Sequence, residues 1–306
     1  MNILLIANKN NAHAYDALHI AEAWLGARGI NTENALSDKL TITSPELASL
    51  HARAGEFDLI CAFGGDGTIL RGAHVAFGAD VPLLGFNFGN LGFLTGAPSA
   101  GVVKTLEAAL AGEVASERRT MLKATLTFDD DSTVSYYGLN EVTLASNDFG
   151  RAMKAHVNIN GEHLYDLRGD GMIISTPTGS TAYALSAGGP LVAPGLRGLV
   201  VVPISSHSLA SRSVVCAATD VVEIVPTEAS GPQIVCHVDG QEAFATGYCD
   251  LESHTDAEHS VDGGVQDVCA LSKLEVASAA DDLLLIRADA PDFYSRLSSE
   301  FFDGDK

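Results

Sequence analysis

The chain is short of positive charge. It carries 18 lysines and arginines against 39 aspartates and glutamates, a formal net charge of −21 over 306 residues. Such a chain repels nucleic acid and anionic membrane at long range, which disfavours both as partners. An anionic ligand must instead be held by local devices, such as backbone N–H groups and individually placed arginines. Cysteine is scarce and unpatterned. Cys61, Cys216, Cys236, Cys249 and Cys269 make an odd count with no CxxC pair, which argues for free thiols in a reducing compartment. Cys61 sits in the apolar run LICAF and is expected to pack as a small hydrophobe. No stretch approaches the ~18–20 apolar residues of a membrane span. The opening MNILLIANKNN lacks a basic leader, and its apolar part is too short for a signal peptide. A cytoplasmic protein is expected.

What is present is ample apolar material, 46% of residues, enough for one large domain or two ordinary ones. Asn2 to Ala7 reads as a buried strand. His13 to Arg28 has helical spacing through Ala14, Leu18, Ala21 and Leu25, and Gly29 stops it. Ser44-Pro45 opens a second helix as N-cap and first-turn proline. Asp58 to Phe63 is a second apolar strand, a helix starts near Thr68, Val81 to Phe86 is a third strand, and Ala100 to Gly112 a third helix. Strands alternating with helices imply a parallel sheet covered on both faces, a Rossmann-like α/β domain.

From Arg118 the pattern changes to alternating apolar and polar residues (LKATLTF, STVSYYGLNEVTLA, KAHVNINGEHLYDL), which reads as antiparallel strands. NING at 158–161 is a hairpin turn. Further strand-like runs are GMIIST, GLVVVPI, DVVEIVP, QIVCHVDG and LEVASAADDLLLI, and Ala290 to Phe302 reads as a short helix. The expected organisation is an α/β domain of residues 1–117 and 287–306 and a mostly β domain of 118–286. The latter carries an acidic, His-containing insertion at about 246–270, which reads as a solvated loop.

Two segments carry chemistry on their own terms. Gly64-Gly65-Asp66-Gly67-Thr68 comes after a strand and precedes a helix. Glycines there allow close backbone approach, and a helix start points N–H groups and a positive dipole end outward, which makes a phosphate cradle. An acidic residue inside such a cradle is costly beside phosphates unless it takes a proton from a hydroxyl or helps hold Mg²⁺. The alternative is a plain turn with Asp66 as N-cap. In the second segment the strand MIIS ends in Thr176-Pro177-Thr178-Gly179-Ser180-Thr181, small polar residues able to face a purine edge. Ser180 or Thr181 is the expected N-cap of a helix from Ala182 to Ala187, ended by Gly188-Gly189-Pro190. Tight packing alone could account for Ala184, Leu185 and Ala187.

The string GGDGT is shared by NAD kinases, diacylglycerol and sphingosine kinases and, more distantly, 6-phosphofructokinases. The sequence downstream of it resembles the NAD kinase family in particular. Residues 85–94 (GFNFGNLGFL) are similar to its second glycine-rich stretch, Asn140-Glu141 to its Asn-acidic pair, 169–190 (GDGMIISTPTGSTAYALSAGGP) to its longest signature, and Val238-Asp239-Gly240-Gln241 to its last. The resemblance implies phosphorylation of the 2′-hydroxyl of the adenosine ribose of NAD to give NADP, with ATP or polyphosphate as donor and Mg²⁺ or another divalent cation carried mainly by the phosphates. On that reading Asp66 is the general base and Gly65, Gly67 and Thr68 are the phosphate grip, while Arg71, one turn into the helix, could reach a phosphate or equally lie on a solvated helix face. Asn140, Glu141, Asp170, Thr178, Thr181, Ala182, Tyr183, Ala184, Leu185 and Ser186 would bind NAD; Arg151 and Arg168 match contact positions of the family or simply neutralise nearby acidic residues, and Gln241 either bonds the nicotinamide amide or closes a β-turn. The resemblance also implies a homodimer or homotetramer. The sequence departs from the family at Ser206 and Ser213, where prolines are usual, and in the 246–270 insertion, so His207 is given no catalytic role. A lipid or other small-molecule kinase sharing GGDGT, and a non-catalytic NAD(P)-binding sensor, are the rival readings.

Overall fold

The computed structural model describes residues 1–89, 92–148, 150–208, 210–227, 233–245, 270–288 and 292–302. The 246–269 part of the expected insertion, with Cys249 and Cys269, and the Asn90-Leu91 step lie outside the described residues. The chain divides into two compact units. One comprises Met1–Thr120, Ala193–Gly195 and Ala280–Lys306, the other Met121–Val192 and Leu196–Ala279.

The first unit begins β1 (Asn2–Ala7), α1 (Ala12–Gly26), β2 (Asn31–Leu36), α2 (Pro45–Ala52), β3 (Leu59–Gly64), α3 (Asp66–Ala76), β4 (Leu83–Asn87), β5 (Ala97–Pro98) and α4 (Val102–Leu110). Strands β2, β1, β3 and β4 lie side by side and parallel. Strand β1 is buried at every position but the first, and β3 at every position, as strands covered on both faces must be. Alternate residues face opposite ways. Ile3, Leu5, Cys61, Phe63, Leu84 and Phe86 pack with Ala14, Leu18, Ala21 and Leu25 of α1 and Leu106 of α4. On the other face, a side chain at Gly72 of α3 would run into Leu83, and one at Gly85 would run into Ile69, so α3 lies close on the sheet. Cys61 is fully buried, and burial pushes its thiol far above the ordinary range. Ser44 caps α2 through its side chain, which accepts from the Leu47 N–H at 3.2 Å.

The second unit holds β6 (Ala115–Phe128, entering from the first unit), β7 (Thr133–Gly138), β8 (Glu141–Ser146), β9 (Met153–Ile159), β10 (Glu162–Gly169), β11 (Gly171–Ser175), α5 (Tyr183–Ser186), β12 (Gly198–Ile204), β13 (Val214–Ala217), β14 (Val222–Pro226), β15 (Ile234–Val238), β16 (Gln241–Ala245) and the start of β17 (Leu271–Arg287). The strands β13-β12-β11-β8-β15-β16 form one antiparallel sheet in that order. Strands β10, β9, β14 and β17 are successively antiparallel neighbours. The hairpin expected at NING is formed, with Asn160 and Gly161 at φ of 54° and 79°, the backbone that a type I′ turn requires. Strand β17 ends in the first unit, where Leu285 and Ile286 pair parallel to Leu83 and Leu84. Helix α6 (Phe293–Leu297) comes next, capped by Asp292, which accepts from the Tyr294 and Ser295 N–H groups.

Candidate active site

In the first unit the site is the junction from β3 to α3. Gly64 is required there because a Cβ would overlap the Thr68 side chain that packs over it. Its carbonyl accepts the Phe88 N–H at 2.9 Å, which ties the two glycine-rich stretches together. Gly65 is the extended N-cap of α3, and Asp66 is the first helical residue rather than the cap. The Asp66 carboxylate turns onto the second stretch. Oδ2 accepts from the Phe93 N–H at 2.9 Å and Oδ1 from the Leu94 N–H at 3.3 Å. Gly92 lies flat against that carboxylate, and a Cβ there would occupy the same space.

Burial raises the Asp66 pKa above the ordinary carboxylate value. The N–H groups of Phe93, Leu94 and Thr95 and the guanidinium of Arg296 oppose that rise. Arg296 comes from α6 and is 3% exposed. It stands 5.8 Å over the Phe93 ring, which also meets Phe293 and Phe301, each at 6.2 Å. Its Nε and Nη1 are buried without a hydrogen-bond partner. Arg287, held by Glu117 at 3.3 Å, adds a second cation that senses Asp66. Thr68 is buried, Gly67 exposed and Arg71 half-buried.

In the second unit the site is built on the turn between β7 and β8. Asp239 sits at φ 49° in the turn joining β15 to β16. Its carboxylate accepts the N–H groups of Leu139, Asn140 and Glu141 at 2.8, 2.7 and 3.1 Å. The end of β11 grips the same turn: the Thr176 N–H donates to the Asn140 carbonyl at 2.8 Å, and Thr176 Oγ1 to the Leu139 carbonyl at 2.6 Å. Gly179 is forced by closeness, because a Cβ would meet the Asn140 carbonyl.

Glu141 is buried, and its Oε2 has no hydrogen-bond partner. Burial and then the nearby Asp239 push its pKa up to about 8, against the pull of the Tyr183 N–H. A carboxyl in that state holds a proton at neutral pH and can donate to a ligand. Thr178 and Ala184 are buried beside this turn, Thr181, Ala182 and Leu185 are half-buried, and Tyr183 and Ser186 are exposed. Gln241, buried, opens β16 opposite Val238.

The expected side-chain cap of α5 is not made. Ala182 is the N-cap, and the helix runs only from Tyr183 to Ser186. Ser180 Oγ is taken by the Pro177 carbonyl at 2.7 Å and the Val192 N–H at 3.0 Å, and Thr181 Oγ1 turns back to the Thr178 carbonyl at 3.3 Å. Asp170 is exposed at the bend between β10 and β11, Arg168 is exposed on β10, and Arg151 is exposed beside Asp148 at 3.6 Å. Arg296 and the clamping role of Asp239 escape sequence reasoning. Asp239 belongs to the Val238–Gln241 motif, which marks the residue without its role, and nothing local to Arg296 announces it.

Both halves of the chain match known families. Residues 3–114 match the family model of the ATP-NAD kinase N-terminal domain, and residues 139–251 that of the ATP-NAD kinase C-terminal domain. The NAD kinase of Heliobacterium modesticaldum is 34% identical over 237 residues, 78% of this chain and 83% of the relative. That of Azoarcus sp. is 35% identical over 252 residues, 79% and 83% of the two chains. Among solved structures, yeast NADH kinase complexed with NADH superposes with a TM-score of 0.78 at 20% identity, over 100% of this chain and 89% of that one. An NAD kinase from Archaeoglobus fulgidus in complex with ATP gives 0.67 at 21% identity, over 94% of each.

Proposed function

The chain belongs to the NAD kinase family, and from that membership we propose that it makes NADP by moving the γ-phosphoryl group of ATP to the 2′-hydroxyl of the adenosine ribose of NAD, with Asp66 as the base. The observation that supports the base assignment is a single carboxylate, partly desolvated and fixed by two backbone N–H groups, at the start of a helix beside a glycine-rich turn. A carboxylate raised above its ordinary range is a better proton acceptor, and a positioned base contributes ~10²–10⁴-fold.

Gly65, Gly67 and Thr68 would grip the phosphates through the turn and the helix dipole, with Arg71 one turn on. Mg²⁺ would arrive on the triphosphate and neutralise its charge. Asn140, Glu141, Asp170, Thr178, Thr181, Ala182, Tyr183, Ala184, Leu185, Ser186 and Gln241 would orient NAD, with Arg151 and Arg168 at its edge. The buried free oxygen of Glu141 supports this, since a polar atom left unpaired inside a protein costs ~1–3 kcal/mol and a ligand hydroxyl would recover it.

The test incubates purified protein with NAD, ATP and Mg²⁺ and measures NADP, with polyphosphate and NADH as alternative substrates. Asp66→Asn is expected to retain NAD binding and lose turnover ~10²-fold or more. Full turnover by a folded Asp66→Asn enzyme would remove the base from the scheme.

A further inference from the structure

The hairpin of β9 and β10 carries a group of side chains that phosphoryl transfer does not use. His156 and Asn158 point to one face of β9, because they are two residues apart. On β10, His163 and Asp166 are three apart and would face opposite ways in a regular strand. The register, however, runs His163 opposite Asn158, then Tyr165 opposite Val157 and Asp166 opposite His156, so Leu164 is an extra residue in a bulge. One inserted residue reverses the alternation. The bulge therefore brings His163 and Asp166 to the same face, across from Asn158 and His156.

The four side chains converge. His156 Nδ1 lies 2.6 Å from Asp166 Oδ1, and His163 Nε2 lies 3.5 Å from the same oxygen. His163 Nδ1 faces Asn158 Oδ1 at 3.4 Å. The two imidazole rings are 5.8 Å apart and nearly perpendicular, at 77°. One nitrogen of each histidine and one carboxylate oxygen lie within 4.8 Å of one another. All three residues are exposed, and with Asn158 and Val225 they line a surface hollow of about 520 Å³.

We propose that this hairpin face is a binding site for one divalent transition-metal ion of the Zn²⁺ type, with His156, His163 and Asp166 as its protein ligands. Two imidazoles and a carboxylate converging on one point are the donor set that suits Zn²⁺, whereas Mg²⁺ asks for oxygen ligands and retains its waters. Asn158 supplies the orienting contact that metal-binding histidines need. By accepting from Nδ1–H of His163 it fixes the tautomer whose Nε2 lone pair faces Asp166. In the metal-free protein His156 Nδ1 and Asp166 Oδ1 face each other directly, and the ion would take the place between them.

By register, Lys154 and Arg168 share this face beyond His156 and Asp166, and Glu223 of β14 lies opposite Asn158. Glu223 is itself near Lys273, at 4.0 Å. The remaining coordination positions open into the hollow and are left to water or to a donor from outside the chain.

The test is isothermal titration of the tag-free full chain with ZnCl₂ at pH 7.5, with MgCl₂ as the second arm. One Zn²⁺ per chain is expected here, with no Mg²⁺ at this hairpin. His156→Ala and His163→Ala should each weaken Zn²⁺ at least ~10-fold, and Asn158→Ala should do so by a smaller factor within the ~10–100-fold range of outer-shell losses. NAD phosphorylation and the melting temperature of the metal-free variants should stay unchanged, since His156 and His163 are exposed and Asn158 is only half-buried. His254 and His259, outside the described residues, are the competing source of Zn²⁺ ligands. The His254→Ala/His259→Ala double variant should therefore keep the site. Zn²⁺ binding that survives both hairpin substitutions, or disappears with the His254/His259 pair, overturns the proposal. Retained binding by the double variant together with its loss in His156→Ala supports it.

Discussion

Gly92→Ala is the sharpest perturbation the structure offers. The added methyl and the Asp66 carboxylate cannot occupy the same space. Either Asp66 rotates away and abandons the Phe93 and Leu94 N–H groups, now at 2.9 and 3.3 Å, or the 92–94 backbone withdraws and breaks the same bonds. Hydrogen bonds to a charged group are worth ~1.5–3 kcal/mol each, so neither route is cheap. Overpacking of this kind costs ~1–3 kcal/mol of stability, which for a chain of this size lowers Tm by ~2–4 °C per kcal/mol. Activity should suffer more, since a misplacement of ~1 Å in a reacting group can cost ~10²-fold. The assay is steady-state NADP formation for wild type, Gly92→Ala, Asp66→Asn and the double variant. Because the methyl acts through the carboxylate, the two losses in kcat should not add: in the Asp66→Asn background, Gly92→Ala should cost almost nothing further. Losses that multiply independently, or a wild-type kcat in Gly92→Ala, would refute the link from Gly92 to Asp66.

Removing the cation in Arg296→Gln should destabilise the Asp66 anion and shift the acid limb of the kcat–pH profile to higher pH, while Arg296→Lys restores it. An unmoved limb would make Arg296 a purely structural residue. Glu141 keeps its proton in the folded protein to about pH 8 but loses it near 4.5 when unfolded. The folded state thus binds more protons between those values. The stabilising contribution is complete below the unfolded value and is lost as pH rises through the folded one, by up to ~5 kcal/mol at the linkage limit. Glu141→Gln should flatten that slope in urea unfolding between pH 5 and pH 9, and identical slopes would refute the shift. Asp239→Ala orphans three N–H groups and should cost at least ~3 kcal/mol in urea unfolding. It should also raise KM for NAD by loosening the Asn140-Glu141 turn. A variant as stable as wild type would mean that the three bonds are replaced by water.

The α/β and β-rich parts are legible in the sequence because their strands declare themselves: β1 from Ile3 onward and β3 are apolar runs, β9 alternates, and β11 and β12 are again apolar runs. Strand β2 does not, because NTENAL at the sheet edge is largely exposed and polar, and only its parallel pairing with β1 makes it a strand. Ser180 and Thr181 look like caps by type, yet both hydroxyls are drawn into the Pro177–Val192 and Thr178 contacts, a tertiary choice that local propensity cannot see. Asp66 is legible as a motif residue but not as the first helical residue fixed by Phe93 and Leu94. Arg296, 230 positions further along the sequence from Asp66 (296 − 66), is invisible because its importance lies in where β17 carries the chain. The Leu164 bulge likewise changes which residues share a face and leaves no trace in the strand's alternation.

The clasp that Asp239 places on Leu139, Asn140 and Glu141 spans about a hundred residues of sequence. During synthesis, the ribosome will have made the GGDGT turn and the whole 169–190 signature before the residue that fixes the Asn140-Glu141 turn exists. Until the β15–β16 hairpin emerges, the carboxylate that accepts those N–H groups in the folded chain is absent. The turn proposed to hold NAD is therefore completed late, and a nascent chain stopped short of position 239 carries most of the recognisable motifs without the carboxylate that fixes it.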